Sequence, residues 1–365
     1  ATACASNDTA LWNIRDFVKG ETPLLDTATI QMRMHVLDAA SPMDLSWNPI
    51  AHSRIAFYAA NRPIHLGRML GRAPLYFPLF EEALDRHDLP LELKYLAVVE
   101  SGLNPKARSH AGARGLWQFM YATARGQGLR IDSYIDERRD PVRSSEAACV
   151  FLKKLYNQYG DWYLALAAYN AGPGNVNKAI RRSGGKKNFW EIRYFLPRET
   201  RNYVPAFMAV LYLMEYHAEH NIFPAELFTP YAALDTVEVN TVLRFDQIAA
   251  HLNMDVESLS QLNPMFRLDI IPGPPEKWPL VLPQNLIPSF LAYQKDMILH
   301  EPERTPKIVF VPEPVFYRVK SGDVLGGIAS SYGVSVKQLK EWNGLKGTMI
   351  RVGQKLKIHA NPRSL

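Results

Sequence analysis

The sequence predicts a mainly α-helical protein in which an all-α domain is followed by small α+β modules. Apolar residues recur at helical spacing from His52 to His217, and prolines become frequent beyond Pro230. A stretch of twelve residues that begins at Ile248 also has a counterpart 80 residues later, beginning at Ile328. With 365 residues, the chain has room for two or three such domains.

The composition excludes several classes of protein. With 47% apolar and 21% charged residues, the chain is neither wholly disordered nor a collagen-like fibre. The densest apolar stretch, from Val204 to Tyr216, contains Glu215 and is shorter than the roughly 18–20 apolar residues of a membrane-spanning helix. Two cysteines are too few for a disulfide framework or a four-cysteine zinc site, and the apolar neighbours of Cys149 predict a buried thiol.

The other cysteine, Cys4, lies in a different kind of sequence. The preceding Ala-Thr-Ala resembles the end of a bacterial lipoprotein signal, in which the cysteine becomes the lipidated first residue. Cys4 is therefore a candidate lipidation site that would attach the chain to the outer membrane. An unmodified cysteine is the alternative.

The positive charge is concentrated near the end of the chain. The net charge is +6, and residues 316–359 alone contain eight lysines and arginines but only two acidic residues. The remainder of the chain therefore has no net charge. A compact basic module favours an anionic polymer as partner, and from charge alone both nucleic acid and cell-wall glycan are open.

The predicted elements follow in order along the chain. Residues 1–50 show little periodicity and are interpreted as an N-terminal extension. Residues 51–230 form the all-α domain, whose helices we expect to be separated at prolines and glycines such as Pro63, Pro74 and Gly102. Residues 234–285 and 316–359 are the two modules, each a βααβ unit, and residues 286–315 between them are a proline-rich, extended linker.

One carboxylate in the helical domain faces the predicted core. A helix is predicted from Leu91 to Ser101, and Glu100 lies on the same stripe as Leu93 and Leu96. Burial disfavours the charged form of a carboxyl group and raises its pKa, which suits a general acid near neutral pH. From this pattern alone, a buried structural glutamate paired with an arginine is the favoured interpretation.

The sequence around Glu100 adds a family resemblance. The stretches Glu100–Ser109, Gly112–Met120 and Ala168–Gly174 closely resemble the three motifs of the soluble lytic transglycosylase domain, and 199–204 resembles its final helix. The helical lead-in and the C-terminal modules look most like the membrane-bound lytic transglycosylase D branch of this family. The resemblance implies a lysozyme-like fold for the helical domain.

The resemblance also implies a reaction. Glu100 would be the single catalytic acid and base that cleaves the β-1,4 bond between N-acetylmuramic acid and N-acetylglucosamine in peptidoglycan. It would do so without water, leaving 1,6-anhydromuramoyl ends during cell-wall remodelling in the periplasm. No metal or organic cofactor is implied.

Other positions that match the family's motifs are expected near the substrate. By resemblance the substrate-binding residues are Ser109, Gln118, Met120, Tyr169, Asn170 and Tyr203, with Glu199 as a supporting acid. All of them except Tyr203 have a structural alternative: a turn for Ser109, a helix-surface amide for Gln118, core packing for Met120 and Tyr169, a helix cap for Asn170, and an exposed side chain for Glu199. For Tyr169 we expect a ring packed on the core and a hydroxyl that reaches Glu100 or the sugar.

The last module resembles a LysM domain. Its Ser321-Gly322-Asp323 loop is expected to form a turn and the N-cap of the first helix. By resemblance this loop and the one from Leu345 to Ile350 form a shallow groove for N-acetylglucosamine units. The module at 234–285 resembles LysM only in its middle and lacks the Ser-Gly-Asp loop, so its glycan binding is left open.

Three other functions compete with the lytic transglycosylase. A lysozyme-type hydrolase would use a positioned water and leave reducing muramic ends, and a non-catalytic peptidoglycan-binding scaffold would have kept only the fold. A nucleic-acid binder is the weakest, because no RNA- or DNA-binding motif accompanies the basic module.

Overall fold

The computed structural model describes residues 26–225, 231–299, 315–332 and 334–359. Cys4 and residues 300–314 of the predicted linker lie outside the described residues. The chain divides into two units. The first comprises the described residues up to Met120 together with Arg138–Leu234, and the second comprises Tyr121–Glu137 together with the described residues from Asp235 onward.

The first unit is all-α, as predicted. Its helices are α1 (Thr27–Ala40), α2 (Pro49–Asn61), α3 (Pro63–Arg86), α4 (Lys94–Ser101), α6 (Pro141–Tyr159), α7 (Trp162–Ala171), α8 (Pro173–Arg182), α9 (Phe189–Ile192) and α10 (Tyr203–Glu215). Every residue of α10 from Tyr203 to Met214 is buried, and this helix packs against α2, α4 and α7. The apolar stretch at 204–216 is therefore a buried helix in the core of this unit. Among the described residues, no helix is long and apolar enough to cross a membrane.

Two features of this unit differ from the sequence-based expectation. Pro74 does not separate two helices, because α3 continues through both Pro74 and Pro78. Each proline costs the helix a hydrogen bond, but half of the 24 residues of α3 are buried, and this burial stabilises the continuous helix. In the predicted extension, α1 is capped by Asp26 and buries Ile30 and Met34, a stripe too short to give a clear periodicity.

The second unit contains the two modules. The first module consists of β1 (Leu234–Val239), β2 (Val242–Arg244), α11 (Phe245–Leu252), α12 (Val256–Leu262), β3 (Ile270–Pro272), β4 (Trp278–Pro283) and α13 (Ile287–Leu299). β1 pairs with β4, and β2 pairs antiparallel with β3. Helix α13 lies within the predicted extended linker, and it is helical because Phe290 is buried in the core of this module.

The second module is the predicted βααβ unit. It consists of β5 (Val315–Arg318), α14 (Leu325–Ser331), α15 (Val336–Asn343) and β6 (Lys355–Ile358), and β5 pairs antiparallel with β6. Its small core includes Leu325, Ile328, Leu339 and Leu356.

Equivalent asparagines make the same hydrogen bonds in the two modules. The Asn263 side chain donates to the Leu259 and Val281 carbonyls at 3.0 and 2.8 Å and accepts from the Val281 amide at 2.7 Å. Asn343 does the same with Leu339 and Lys357, at 2.8, 2.7 and 2.6 Å. Each asparagine therefore joins the end of the second helix to the last strand, which accounts for the repeat at an offset of 80 residues.

A segment from the middle of the helical domain also belongs to the second unit. Residues 121–137, which include α5 (Tyr121–Gly126), pack with the first module. Ile135 is fully buried in that module's core and forms an antiparallel bridge with Phe266. The Asp136 amide donates to the Met265 carbonyl at 2.9 Å, and the Arg267 amide donates to the Tyr134 carbonyl at 2.8 Å. The module therefore holds this segment through both its core and its backbone.

We expect Ile135→Ala to destabilise the second unit. Truncating a fully buried isoleucine should lower the free energy of unfolding by about 2–5 kcal/mol. Hydrogen exchange at β3 and β4 would measure this as faster exchange. Ile64→Ala is the matched control, because Ile64 is an exposed isoleucine on α3. Equal effects of the two substitutions would contradict the packing described for the 121–137 segment.

Candidate active site

Glu100 lies at the end of a short helix that fixes its direction. Helix α4 follows a 3-10 turn at Leu91–Leu93 and ends at Gly102, which has a left-handed φ of 60°. Leu96 and Ala97 are fully buried on the stripe predicted from the sequence. The helix therefore anchors Glu100 from the core side.

The carboxyl group of Glu100 is held by a tyrosine. The hydroxyl of Tyr203 donates to Glu100 Oε1. Burial raises the pKa of Glu100 to about 7, and this outweighs the Tyr203 hydrogen bond, which lowers it, while the charge of Glu199 adds to the rise. Glu100 pairs with no arginine in the described part of the chain. The arrangement is that of a proton donor near neutral pH.

The residues before α10 place Tyr203 at the carboxyl group. A 3-10 turn at Thr200–Asn202 leads into the helix, and Tyr203 is buried at its first turn. The Thr200 hydroxyl donates to Asn170 Oδ1 at 2.8 Å, which joins this turn to the end of α7. Asn170 therefore supports the Tyr203 segment, whereas Glu199 is exposed and acts on Glu100 through its charge.

The Tyr169 hydroxyl was expected to reach Glu100 or the sugar, and in the structure it does not bond to Glu100. The hydroxyl donates to the backbone carbonyl of Trp117 at 2.7 Å. Its ring packs against Phe119 and Phe151, with centroids 6.2 and 5.5 Å away. A buried tyrosine hydroxyl needs an acceptor, and here the backbone of the 115–120 loop provides it. Tyr169 thus holds that loop against α7.

Ser109 and Gln118 also make hydrogen bonds within the segment between α4 and α5 that contains this loop. The Ser109 hydroxyl accepts from the Ala113 amide at 3.0 Å, which is the turn alternative. Gln118 has a left-handed φ of 49°, and its amide nitrogen donates to the Gly115 and Ala107 carbonyls at 2.8 and 3.3 Å. Gln118 is therefore not a helix-surface amide. Met120, at the end of the loop, is 45% exposed and does not fill the core.

Two residues of the site were not predicted from the sequence. Trp117 contributes a backbone carbonyl, which no residue type reveals, and its indole donates to Ser145 at 2.9 Å. Thr200 is buried, and its only sequence signal was its position in the 199–204 stretch that resembles the family's final helix. The site therefore consists of a Glu100–Tyr203 pair and a backbone framework held by Tyr169, Gln118 and Asn170.

In the second module, the Ser321-Gly322-Asp323 loop forms the predicted turn but not the predicted cap. The N-cap of α14 is Val324, which makes no side-chain bond. The Asp323 carboxylate instead accepts from the Lys320 amide and the Tyr317 hydroxyl, both at 2.7 Å, and these bonds lower its pKa. Ser321 and Gly322 are exposed, and Leu345 and Ile350 pack against the small core. Asp323 therefore fixes the loop from within.

We expect Tyr203→Phe to raise the pKa of Glu100 further. The substitution removes a donor that favours the carboxylate, while the burial that raises the pKa remains. The pH titration of the Glu100 carboxyl carbon by nuclear magnetic resonance would show a midpoint at higher pH. Tyr169→Phe is the matched control, because its hydroxyl bonds to Trp117. An unchanged midpoint in Tyr203→Phe would contradict the role assigned to this bond.

Three segments of the chain match known domain families. Residues 78–192 match the transglycosylase SLT domain, 233–297 match the LysM-like domain of lytic transglycosylase MltD, and 317–359 match the LysM domain. The order of these matches, an SLT domain followed by a LysM-like and a LysM domain, is the order that the motifs predicted. The chain spans 64% of the length of the first D-type relatives that it matches.

The chain is also similar to individual proteins. Membrane-bound lytic murein transglycosylase D of Escherichia coli K12 is 32% identical over 300 residues, which cover 79% of this chain and 64% of that protein. Membrane-bound lytic murein transglycosylase F of Maricaulis maris is 37% identical over 138 residues, covering 34% of this chain and 28% of that protein. The solved structure of the 70 kDa soluble lytic transglycosylase of Escherichia coli matches 50% of this chain and 31% of that chain, with 28% identity and a TM-score of 0.37.

Proposed function

We propose that the chain is a peptidoglycan lytic transglycosylase that cleaves the β-1,4 bond between N-acetylmuramic acid and N-acetylglucosamine. The observation that carries this proposal is the Glu100 carboxyl group, whose pKa of about 7 keeps a large fraction protonated at neutral pH. The matches to the SLT domain and to the D-type relatives support the same substrate.

The proposed reaction uses Glu100 twice. Protonated Glu100 gives its proton to the glycosidic oxygen as the bond from that oxygen to the muramoyl anomeric carbon breaks. The resulting carboxylate then takes the proton of the muramoyl 6-hydroxyl while the oxygen of that hydroxyl bonds to the anomeric carbon. Glu100 thereby regains the proton that it gave away, no water is consumed, and the product has a 1,6-anhydromuramoyl end.

Tyr203 contributes to the second half of this cycle. Its hydroxyl donates to Glu100 Oε1 and stabilises the carboxylate that forms after the first proton transfer. Oε2 has no hydrogen-bond partner among the described residues and is the oxygen we assign to the substrate. The Gln118 and Met120 loop, held by Tyr169, would form one wall of the glycan cleft.

The module at 316–359 is proposed to bind N-acetylglucosamine units of the same glycan. The exposed Ser321-Gly322 turn and the 345–350 loop would form its groove, with Asp323 fixing the turn. We further propose that the chain works on the periplasmic face of the outer membrane, attached by a lipid on Cys4. The membrane-bound relatives are consistent with this location.

The product of the reaction tests the proposed function. The wild-type chain would be incubated with purified sacculi, and the released muropeptides would be identified by mass spectrometry. We expect 1,6-anhydromuramoyl ends, which are absent when Glu100→Gln is used. Reducing muramic ends would identify a lysozyme-type hydrolase, and no release from sacculi would favour a binding scaffold.

A further inference from the structure

The first unit has a second concave surface, on the chain segments that flank α8 and precede α10. Helix α8 and the segment between α9 and α10 border a cavity of about 260 Å³. Lys178 and Arg182 line it from α8, and Tyr194, Phe195 and Arg201 line it from the segment. The proposed cleavage step uses none of these five side chains.

This pocket lies in the most basic part of the first unit. Between residues 175 and 201 the chain contains eight lysines and arginines but only two glutamates. The net charge outside residues 316–359 is zero, so the whole-chain balance conceals this local excess. One glutamate, Glu191, pairs with Lys186 at 2.8 Å, while Lys178 and Arg182 have no acidic partner in the part of the chain that the structure describes. The pocket therefore favours an anion.

The arginine on the segment side is held in place by the backbone. Arg201 Nε donates to the Leu196 carbonyl at 2.9 Å, and the Arg201 carbonyl accepts from Arg193 Nε at 2.7 Å. A guanidinium group fixed through Nε presents its remaining N–H groups in a defined direction, which suits a carboxylate. Such a fixed donor distinguishes the pocket from a surface covered with mobile lysines.

Exposed aromatic rings form the edge of the pocket. Tyr194 is 69% exposed and Phe195 is 37% exposed. The Arg182 guanidinium lies 5.8 Å from the centre of the Phe195 ring. A ligand with an acidic group and short apolar side chains would contact both the cations and the rings.

The pocket shares a chain segment with the Glu100 site. Arg201 precedes Tyr203 by two residues, and Thr200 between them bonds to Asn170 at the end of α7. Helix α8 begins directly after that end, at Pro173. The pocket and the Glu100 site are therefore built from neighbouring residues of the same two chain segments.

We propose that the pocket binds a carboxylate of the peptide stem attached to muramic acid. This inference rests on the proposed function, because it is the stem-bearing glycan that brings acidic groups on a short peptide to this side of the site. The small volume of this open pocket, about 260 Å³, suits one carboxylate and its neighbouring side chain. An anionic membrane would instead require a broad flat patch.

A comparison of two substrates tests the pocket. The two substrates are intact sacculi and sacculi whose stems an N-acetylmuramoyl-alanine amidase has removed. Cleavage of both would be measured with the full chain as wild type, Arg182→Ala and Lys178→Ala. Losing one charge-assisted hydrogen bond should lower the ratio of kcat/KM on stem-bearing strands to that on naked strands about tenfold, through KM. Arg182→Lys should retain most of the ratio, and Lys154→Ala, which removes an exposed charge from α6, should leave it unchanged.

Several outcomes would overturn the pocket assignment. One is an unchanged ratio in both alanine variants, and another is an equal loss on the two substrates. A third is that the alanine variants no longer sediment with anionic phospholipid vesicles while their kcat/KM ratio stays unchanged. If the wild type cleaves neither substrate, the proposed function fails, but binding still tests the pocket. Co-sedimentation of Glu100→Gln and of Glu100→Gln/Arg182→Ala would then be measured with stem-bearing and with naked strands. Equal binding of these two variants to stem-bearing strands would overturn the pocket assignment.

Discussion

Glu100→Gln is expected to lower the rate of glycan cleavage at least about 1000-fold. The substitution keeps the size of the side chain and an oxygen that can accept from Tyr203, but it removes the proton that both halves of the proposed cycle need. The rate of release of anhydromuramoyl products from sacculi measures the loss. Binding of the variant to sacculi should be retained, because the LysM module and the cleft walls are unchanged.

The same substitution should stabilise the folded protein at neutral and alkaline pH. The pKa of Glu100 is about 7 in the folded state and 4.5 in its ordinary range. Well below pH 4.5 the Glu100 carboxyl is protonated in both the folded and the unfolded state, so its ionisation does not change the free energy of unfolding. As pH rises from 4.5 to 7, only the unfolded state loses the proton, so wild-type stability falls by an amount on the order of 3 kcal/mol.

Glutamine cannot ionise and avoids this loss. The Tm of Glu100→Gln should therefore exceed that of the wild type at pH 8, and the difference should shrink towards zero near pH 4. This pH dependence reports the raised pKa that burial gives the Glu100 carboxyl group. A Tm difference that does not change with pH would contradict the burial assigned to the charged form of Glu100.

Gly115→Ala is expected to lower the free energy of unfolding by about 4 kcal/mol or more. A Cβ atom on Gly115 would lie 1.6 Å from the Arg138 carbonyl oxygen and 2.6 Å from its carbon. Both atoms are backbone and cannot move aside as a side chain could, and the φ of 84° adds strain. The loop that carries Gln118 would have to separate from Arg138. Thermal unfolding measures the loss, and a chain that fails to fold gives the same answer.

Gly112→Ala is the control for the backbone conformation alone. Gly112 lies three residues before Gly115 and has a φ of 95°, but nothing lies within 4 Å of the added Cβ. We expect its cost to be limited to about 1–2 kcal/mol for the left-handed conformation. If the two variants unfold at the same temperature, the close approach of Gly115 to Arg138 is not what stabilises this loop.

The helical domain could be predicted because its signals are local. The stripe through Leu93, Leu96 and Glu100 and the stop at Gly102 both depend on residues within a few turns of one another. The continuous helix α3 could not be predicted, because the compensation for Pro74 comes from tertiary burial that a local pattern does not contain. Helix α13 was missed for the same reason, since a single buried residue, Phe290, fixes it to its module.

The candidate site was predicted in part. Motif resemblance selected Glu100, Tyr169, Asn170 and Tyr203, and all four lie in the site or its supporting framework. Their hydrogen bonds could not be predicted. The Tyr169 hydroxyl bonds to a backbone carbonyl and Asn170 bonds to Thr200, and both partners depend on how distant segments fold together. The basic pocket was also missed, because the net charge was taken over a long stretch in which acidic residues cancel it.

The packing of residues 121–137 with a later module has a consequence for synthesis of the chain. Ile135 and Asp136 emerge from the ribosome more than a hundred residues before Met265 and Phe266, with which they pair. At usual elongation rates this interval is on the order of ten seconds. The nascent helical domain therefore carries an unfinished loop, with the apolar Ile135 side chain still without its partners, until the first module has been translated.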